Sequence, residues 1–264
     1  MHARCIVAGA VHGVPAAWAD VAGAGQGWML RAAASDIHGS PLMRYAIYFC
    51  PAPASALAAL GRDWLSTELA AHGIPGIGLT RWNALLADVR RYGWHATLRS
   101  PFTLSPDVDL ADLRQALAVV ARSHGPINLT LRCARLAGFP ALRPLGDCKA
   151  VNALAAACVE AIEPLRMPLA EHDFQRRASG LDAIETHYLG RYGYPYVFER
   201  YRFHMTLSAP ASVEEERALQ RWLSLRASML PAARIDSLAL FVEPSPGAAF
   251  EPLERIALQK ASAA

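Results

Sequence analysis

Lysine is nearly missing from this chain. Its 264 residues hold only Lys149 and Lys260, so almost every positive charge is an arginine. Arginine favours two-pronged phosphate contacts, but a GC-rich genome gives the same bias, and the feature alone assigns no partner. Charge is also scarce. A formal net charge of +3 with 19% charged residues does not mark a nucleic-acid or membrane-surface binder, so nucleic acid is not the favoured partner. The five cysteines, Cys5, Cys50, Cys133, Cys148 and Cys158, are odd in number and widely spaced, with no Cys-x-x-Cys. Neither a disulfide framework nor a zinc knuckle is expected, and a reducing cytoplasm fits. No apolar run reaches the roughly 18 residues of a membrane span. There is no glycine-rich phosphate loop, no Walker motif and no His/carboxylate cluster at metal-ligand spacing, so neither metal nor cofactor is expected. What remains, 53% hydrophobic, suffices for one large domain or two small ones.

Residues 1–42 are dominated by Ala, Gly and Val, with turn formers such as Gly9, Gly13, Pro15 and Gly39-Ser40-Pro41 and no sustained periodicity. They are expected to lie outside the fold, as a disordered tail or the product of a start codon assigned too early. Met43 stands just before the first strong strand pattern, Tyr45 to Cys50.

Two stretches repeat one another: Tyr92-Gly93-Trp94-His95-Ala96-Thr97-Leu98 and Tyr201-Arg202-Phe203-His204-Met205-Thr206-Leu207. Each carries His-x-Thr-Leu behind an aromatic residue. Side chains alternate along a strand, so His95 and Thr97 share one face while Trp94, Ala96 and Leu98 share the other. His204 and Thr206 likewise oppose Phe203, Met205 and Leu207. A single such motif reads as a half-exposed polar edge; a matched pair with matched flanks reads as an internal repeat.

The surroundings repeat too. After the first strand, Pro51 and Pro53 end the ladder and Ser55 caps a helix expected over about 55–71, closed by His72-Gly73. Thr80 to Val89 forms a short helix or a covering loop. The first motif strand runs into Pro101-Phe102, and a helix follows over about 109–123. A hairpin turning at Ala137-Gly138 comes next. A helix over about 149–162 leads into a second, arginine-containing helical segment, Glu171 to Ile184. The second motif strand is then followed by a helix over about 213–229, a strand over about 235–242 and a return over about 250–258. The order motif strand, turn, helix, strand, turn, strand thus occurs twice. This predicts an α+β fold of two pseudo-symmetric lobes, each an antiparallel sheet with helices on its outer face and a cleft between them. Lobe one would span roughly 43–147, a helical connection 148–192 and lobe two 193–264.

Two lobes related by an approximate twofold axis bring corresponding strands face to face. Two imidazoles and two hydroxyls would then converge on one cleft. Such a pair can take a proton from an attacking hydroxyl and give one to a leaving oxygen, while the hydroxyls bond oxygens that accumulate charge. That set suits transfer at phosphorus.

At His95-Ala96-Thr97-Leu98 and His204-Met205-Thr206-Leu207 the chain resembles the two-histidine (2H) phosphoesterase superfamily. Its Arg44-to-Phe49 start, its Arg91-to-His95 lead-in, its Ser100-Pro101-Phe102 follow-on and its Gly193-to-Val197 stretch are similar to a branch encoded with bacterial phosphonate-utilisation (C–P lyase) genes. The resemblance implies metal-independent cleavage of a cyclic phosphate or related phosphodiester, with a phosphoribosyl cyclic phosphate as the preferred small substrate. A cytoplasmic monomer is expected, with His95, His204, Thr97 and Thr206 as its catalytic residues. RNA 2′,3′-cyclic ends or 2′,5′ linkages are the alternative substrates, and a non-catalytic nucleotide-binding protein is the alternative class. Trp94 stands where the branch has Phe. Arg99 falls on the face of His95 and Thr97 if the strand continues, which would aim its guanidinium at the phosphate. Tyr48, Tyr92 and Tyr201 could reach the cleft, although strand aromatics are more often core.

Overall fold

A computed structural model describes residues 43–66 and 74–259. The expected tail, 1–42, and the expected helix end at His72-Gly73 lie outside the described residues. The architecture is α+β. Strand β1 (Arg44–Phe49) leads to helices α1 (Ala56–Leu65) and α2 (Leu79–Tyr92), and then to β2 (Ala96–Phe102) and α3 (Leu110–Ser123). The hairpin β3 (Ile127–Leu136) and β4 (Phe139–Leu145) follows, then α4 (Lys149–Ile162), α5 (Glu171–Ala178) and α6 (Ala183–Tyr192). A two-residue strand, β5 (Met205–Thr206), precedes α7 (Val213–Ser228), β6 (Ala233–Ile235), β7 (Ser237–Glu243) and β8 (Glu251–Ala257). Among the described residues no helix is long and apolar enough to cross a membrane.

Among the described residues four helices start at a side-chain cap. Ser55 Oγ accepts from the Ala58 amide at 3.1 Å. Reciprocal capping boxes open three others: Asp109 with Asp112, Asp182 with Glu185, and Ser212 with Glu215. The segment left open as helix or loop is the fourteen-residue α2. The helical segment expected over Glu171 to Ile184 is made of α5 and the start of α6, with Gly180 at φ +83° between them. Ala137 and Gly138 both turn through positive φ, 46° and 95°, as a two-residue hairpin turn needs.

Both sheets are antiparallel and four-stranded, in the orders β2-β1-β7-β8 and β5-β4-β3-β6. The sheets are not the two halves of the chain. The lobes expected over 43–147 and 193–264 exchange their hairpins: β7 and β8 join β1 and β2, while β3 and β4 sit between β5 and β6. Burial differs between the two sheets. Tyr45 to Phe49 and all of β7 are buried on both faces, as suits central strands of a sheet covered on both sides. β3 instead exposes Asn128, Thr130 and Arg132 in alternation and belongs in a sheet with one open face.

Helices α3 and α4 lie side by side on the first sheet, and α7 covers β3 of the second. Trp64 of α1 joins the layers. Its ring lies 4.8 Å from Trp82 of α2 and 5.2 Å from Trp222 of α7, and its indole N–H donates to the Leu207 carbonyl at 2.8 Å. That bond anchors the end of the second motif. At the first, the fully buried Glu243 carboxylate takes Arg44 of β1, Arg91 of α2 and the Gly247 amide, which fixes the end of α2 two residues before Gly93.

Candidate active site

The motif strands β2 and β5 are edge strands of their respective sheets, and these two edges meet. Tyr201 Oη donates to the Thr97 carbonyl at 2.9 Å, tying the lead-in of the second motif to the backbone of the first. Each histidine sits one residue before its strand begins.

On the face of the first sheet away from the main core, Ala46, Tyr48, Ala239, Phe241 and Phe250 form a small buried apolar platform, with Tyr92 packed against it. The His95 ring lies on that platform, its centroid 4.0 Å from that of Tyr48 and 6.2 Å from that of Tyr92. Its Nδ1 is 2.9 Å from the Gly93 carbonyl, and its Nε2 is 3.3 Å from Thr97 Oγ1. A carbonyl only accepts, so Nδ1 carries the proton. Nε2 is therefore a base in the neutral ring, able to accept from the Thr97 hydroxyl.

His204 repeats the device. Its Nδ1 is 2.7 Å from the Arg202 carbonyl, again the residue two positions back, which fixes the same tautomer and leaves Nε2 as the free base. Its ring packs 5.6 Å from Phe139 of β4, while Thr206 lies opposite Ala141 in the ladder. Two half-buried imidazoles thus offer equivalent nitrogens beside two hydroxyls.

Burial dominates their acidity. It pushes His95 down to about 4, against the Gly93 carbonyl, which favours the charged ring, and with help from the charge of His204. His204 is also lowered, by burial first, against the Arg202 carbonyl and with help from Arg143. In the free protein burial thus biases both rings toward the neutral form. Among the described residues no three His, Cys, Asp or Glu side chains gather where they could hold a metal ion.

The four motif residues and Tyr48, Tyr92 and Tyr201 come together around this seam, with the tyrosines as supports. Tyr48 and Tyr92 underlie His95, and Tyr92 stacks on Phe250 at 5.1 Å. The Tyr201 hydroxyl is committed to the Thr97 carbonyl. Arg99 does not stay on the cleft face. Tyr48 is opposite Thr97 but Ile47 is opposite Arg99, so β2 sets two residues, Leu98 and Arg99, against one step of β1. This bulge turns Arg99 inward. It is 2% exposed and donates to Ser100 Oγ at 2.9 Å and to the Tyr192 carbonyl at 2.8 Å. Arg143 of β4 was not singled out from the sequence, yet its charge acts on His204. The signal lay in strand pairing: Ala141 is opposite Thr206 and Leu142 opposite Met205, so the same register sets Arg143 opposite His204.

The carbonyl that orients His95 depends on a glycine. Gly93 has φ 78° and ψ −179°, a backbone state open essentially to glycine alone and costing about 1–3 kcal/mol in other residues. Gly93→Ala is expected to destabilise the fold by about that amount in urea unfolding and to turn the carbonyl away from Nδ1. Ring ¹⁵N shifts of His95 would then report a mixture of tautomers. Wild-type stability together with an unchanged tautomer would show that the glycine is dispensable.

A family model described as "Protein of unknown function (DUF1045)" matches residues 97–251. A ribose 1,5-bisphosphate phosphokinase PhnN of Laribacter hongkongensis is 40% identical over 215 residues, 79% of this chain and 50% of that protein. Its namesake from a Janthinobacterium species is 37% identical over 230 residues, 81% of this chain and 51% of that protein. The chain thus spans about half the length of the curated relatives it matches. Among solved structures, E. coli LigT complexed with 3′-AMP aligns over 83% of this chain and 99% of its own, at 16% identity and a TM-score of 0.40.

Proposed function

The chain belongs to the DUF1045 family, and from its paired histidines we propose that it is a two-histidine phosphoesterase, opening a cyclic phosphate or related phosphodiester by acid–base catalysis without a metal. The observation that carries this reading is the repeated tautomer lock: each motif histidine gives Nδ1–H to the carbonyl two residues back and keeps Nε2 for proton transfer. One ring takes the proton of the attacking water while the other, protonated, supplies the departing alkoxide. Thr97 and Thr206 hydrogen-bond the phosphoryl oxygens. Tyr48 and Tyr92 hold the His95 ring on its platform, and Tyr201 holds the seam closed.

A phosphoribosyl cyclic phosphate is the preferred substrate. Support comes from the relatives named for a ribose bisphosphate, read with the resemblance of the flanks to the phosphonate-linked branch. The kinase activity in that name is a property of proteins twice the length of the matched stretch, and this chain shows no Walker motif.

The test is a pH profile of cyclic-phosphate hydrolysis in the presence of a chelator. With His95 near 4 and His204 below its ordinary value, the singly protonated pair of the free enzyme is populated in the acid range and gives way to two neutral rings as pH rises. The bell of kcat/KM, which reports the free enzyme, is therefore expected on the acid side of neutrality. A bound phosphate anion favours protonated rings, so the bell of kcat moves to higher pH. Both limbs belong to the coupled pair. Loss of activity to the chelator, or kcat/KM independent of pH between about 5 and 9, would overturn the mechanism.

A further inference from the structure

The second sheet carries positive charge that the histidine chemistry leaves unused. Its strands β3, β4, β5 and β6 contain Arg132, Arg135, Arg143 and Arg234 and no Asp or Glu. Arg135 reaches the opposite face, where it pairs with Glu216 of α7. The other three share the face of the motif. Thr206 is opposite Ala141, which is opposite Ala134, and two residues along the same strands Arg143 is opposite Arg132. Further out, Asn128 is opposite Arg234. A row therefore runs from His204 through Arg143 to Arg132, one residue per strand.

Among the described residues neither Arg132 nor Arg143 has an ion-pair or hydrogen-bond partner, and the Nε of Arg143 is buried with none. Like charges directly across a ladder oppose folding, and a buried N–H without an acceptor adds to that cost. An anion between the two guanidinium groups would relieve both.

We propose that Arg143 and Arg132 bind a second phosphate, a phosphomonoester on the same small sugar whose cyclic phosphate lies between the histidines. The proposal rests on the phosphoesterase reading and adds to it the residues that would hold the second phosphate of its preferred substrate. Neighbouring strands are about 5 Å apart, so Arg143 stands one strand and Arg132 two strands from His204. That places a paired arginine fork about one sugar's length from the reacting phosphorus, suited to two-pronged contact with phosphate oxygens. The short row and the small net charge of +3 favour a compact bisphosphate over a polymer.

Ribose 1,2-cyclic phosphate with and without a 5-phosphate makes the matched pair of substrates. Wild type is expected to favour the 5-phosphorylated compound by about 10- to 100-fold in kcat/KM, the range of charge-assisted hydrogen bonds. Arg132→Ala, at an exposed position, is expected to remove most of that preference and to weaken the thermal stabilisation that inorganic phosphate gives the wild type. Arg132→Lys is expected to restore only part of it, because a lysine keeps the charge without the fork. Hydrolysis of both compounds with no preference overturns the second site and leaves the phosphoesterase reading standing. Hydrolysis of neither, with phosphate stabilisation still lost in Arg132→Ala, sinks the phosphoesterase reading and keeps an anion site. A preference unchanged in Arg132→Ala overturns the assignment of these residues. Faster cleavage of an oligoribonucleotide ending in a 2′,3′-cyclic phosphate, with that gain lost in Arg132→Ala, overturns the small-sugar assignment in favour of a backbone phosphate.

Discussion

Alanine at His95 or at His204 is expected to lower turnover of a cyclic phosphate by about 10²–10⁴-fold, and the double variant to be little worse than either single. Opening the ring needs one proton taken from the nucleophile and one given to the alkoxide. Both transfers belong to one displacement, so losing either stalls the same step. The equivalence of the sites makes equal losses the expected result, since each ring holds the same tautomer through the same backbone contact. Each variant should also lose one limb of the kcat/KM bell. Binding of an uncleaved phosphate analogue should persist, because the threonines and Arg143 remain. Near-normal turnover in either single variant would end the two-histidine mechanism for this chain.

The motif histidines and threonines were legible in the sequence because their information is local. Period-two alternation separated His95 and Thr97 from Ala96 and Leu98, and the fold keeps that division: Ala96 and Leu98 are buried in the main core while Thr97 is half-exposed. Caps and turns were legible for the same reason. Ser55 and the Ala137-Gly138 turn each act through backbone groups within a few residues.

Long-range pairing was not legible. The repeat predicts what each half contains but not which half's hairpin a strand will adopt, and the burial of both faces of β1 and β7 emerges only on assembly. Arg99 shows the same limit on a smaller scale. Strict alternation sets it beside Thr97, and one bulge moves it to the inner face. Arg143 is the converse case, a strand residue with no motif around it that reaches His204 through cross-strand register. Trp94, larger than the Phe expected there, has a compensation 33 residues earlier in the chain. A Cβ on Gly61 would stand 2.4 Å from its indole ring, and its indole N–H donates to the Leu57 carbonyl at 3.0 Å. A glycine inside α1 costs helix stability, and here it makes room for the residue beside His95.

Thr97→Val and Thr206→Val are expected to cost turnover about 10²–10³-fold each if the hydroxyls serve as oxyanion donors, while the fold survives because valine keeps the β-branched shape a strand accepts. The two sites should differ in one respect. Thr97 Oγ1 lies 3.3 Å from the Nε2 of His95, so its removal also strips that nitrogen of a donor that favours the neutral ring. The pKa of His95 is then expected to rise from about 4, moving the acid limb of kcat/KM upward in Thr97→Val. Thr206 lies opposite Ala141 in the ladder, and no bond from its hydroxyl ties it to His204. Thr206→Val should therefore lower the height of the bell and leave its limbs in place. Steady-state profiles of both variants, with urea unfolding as the check on fold, separate the two effects. Unchanged kinetics in both would reduce the threonines to strand formers and leave charge stabilisation to the imidazoles.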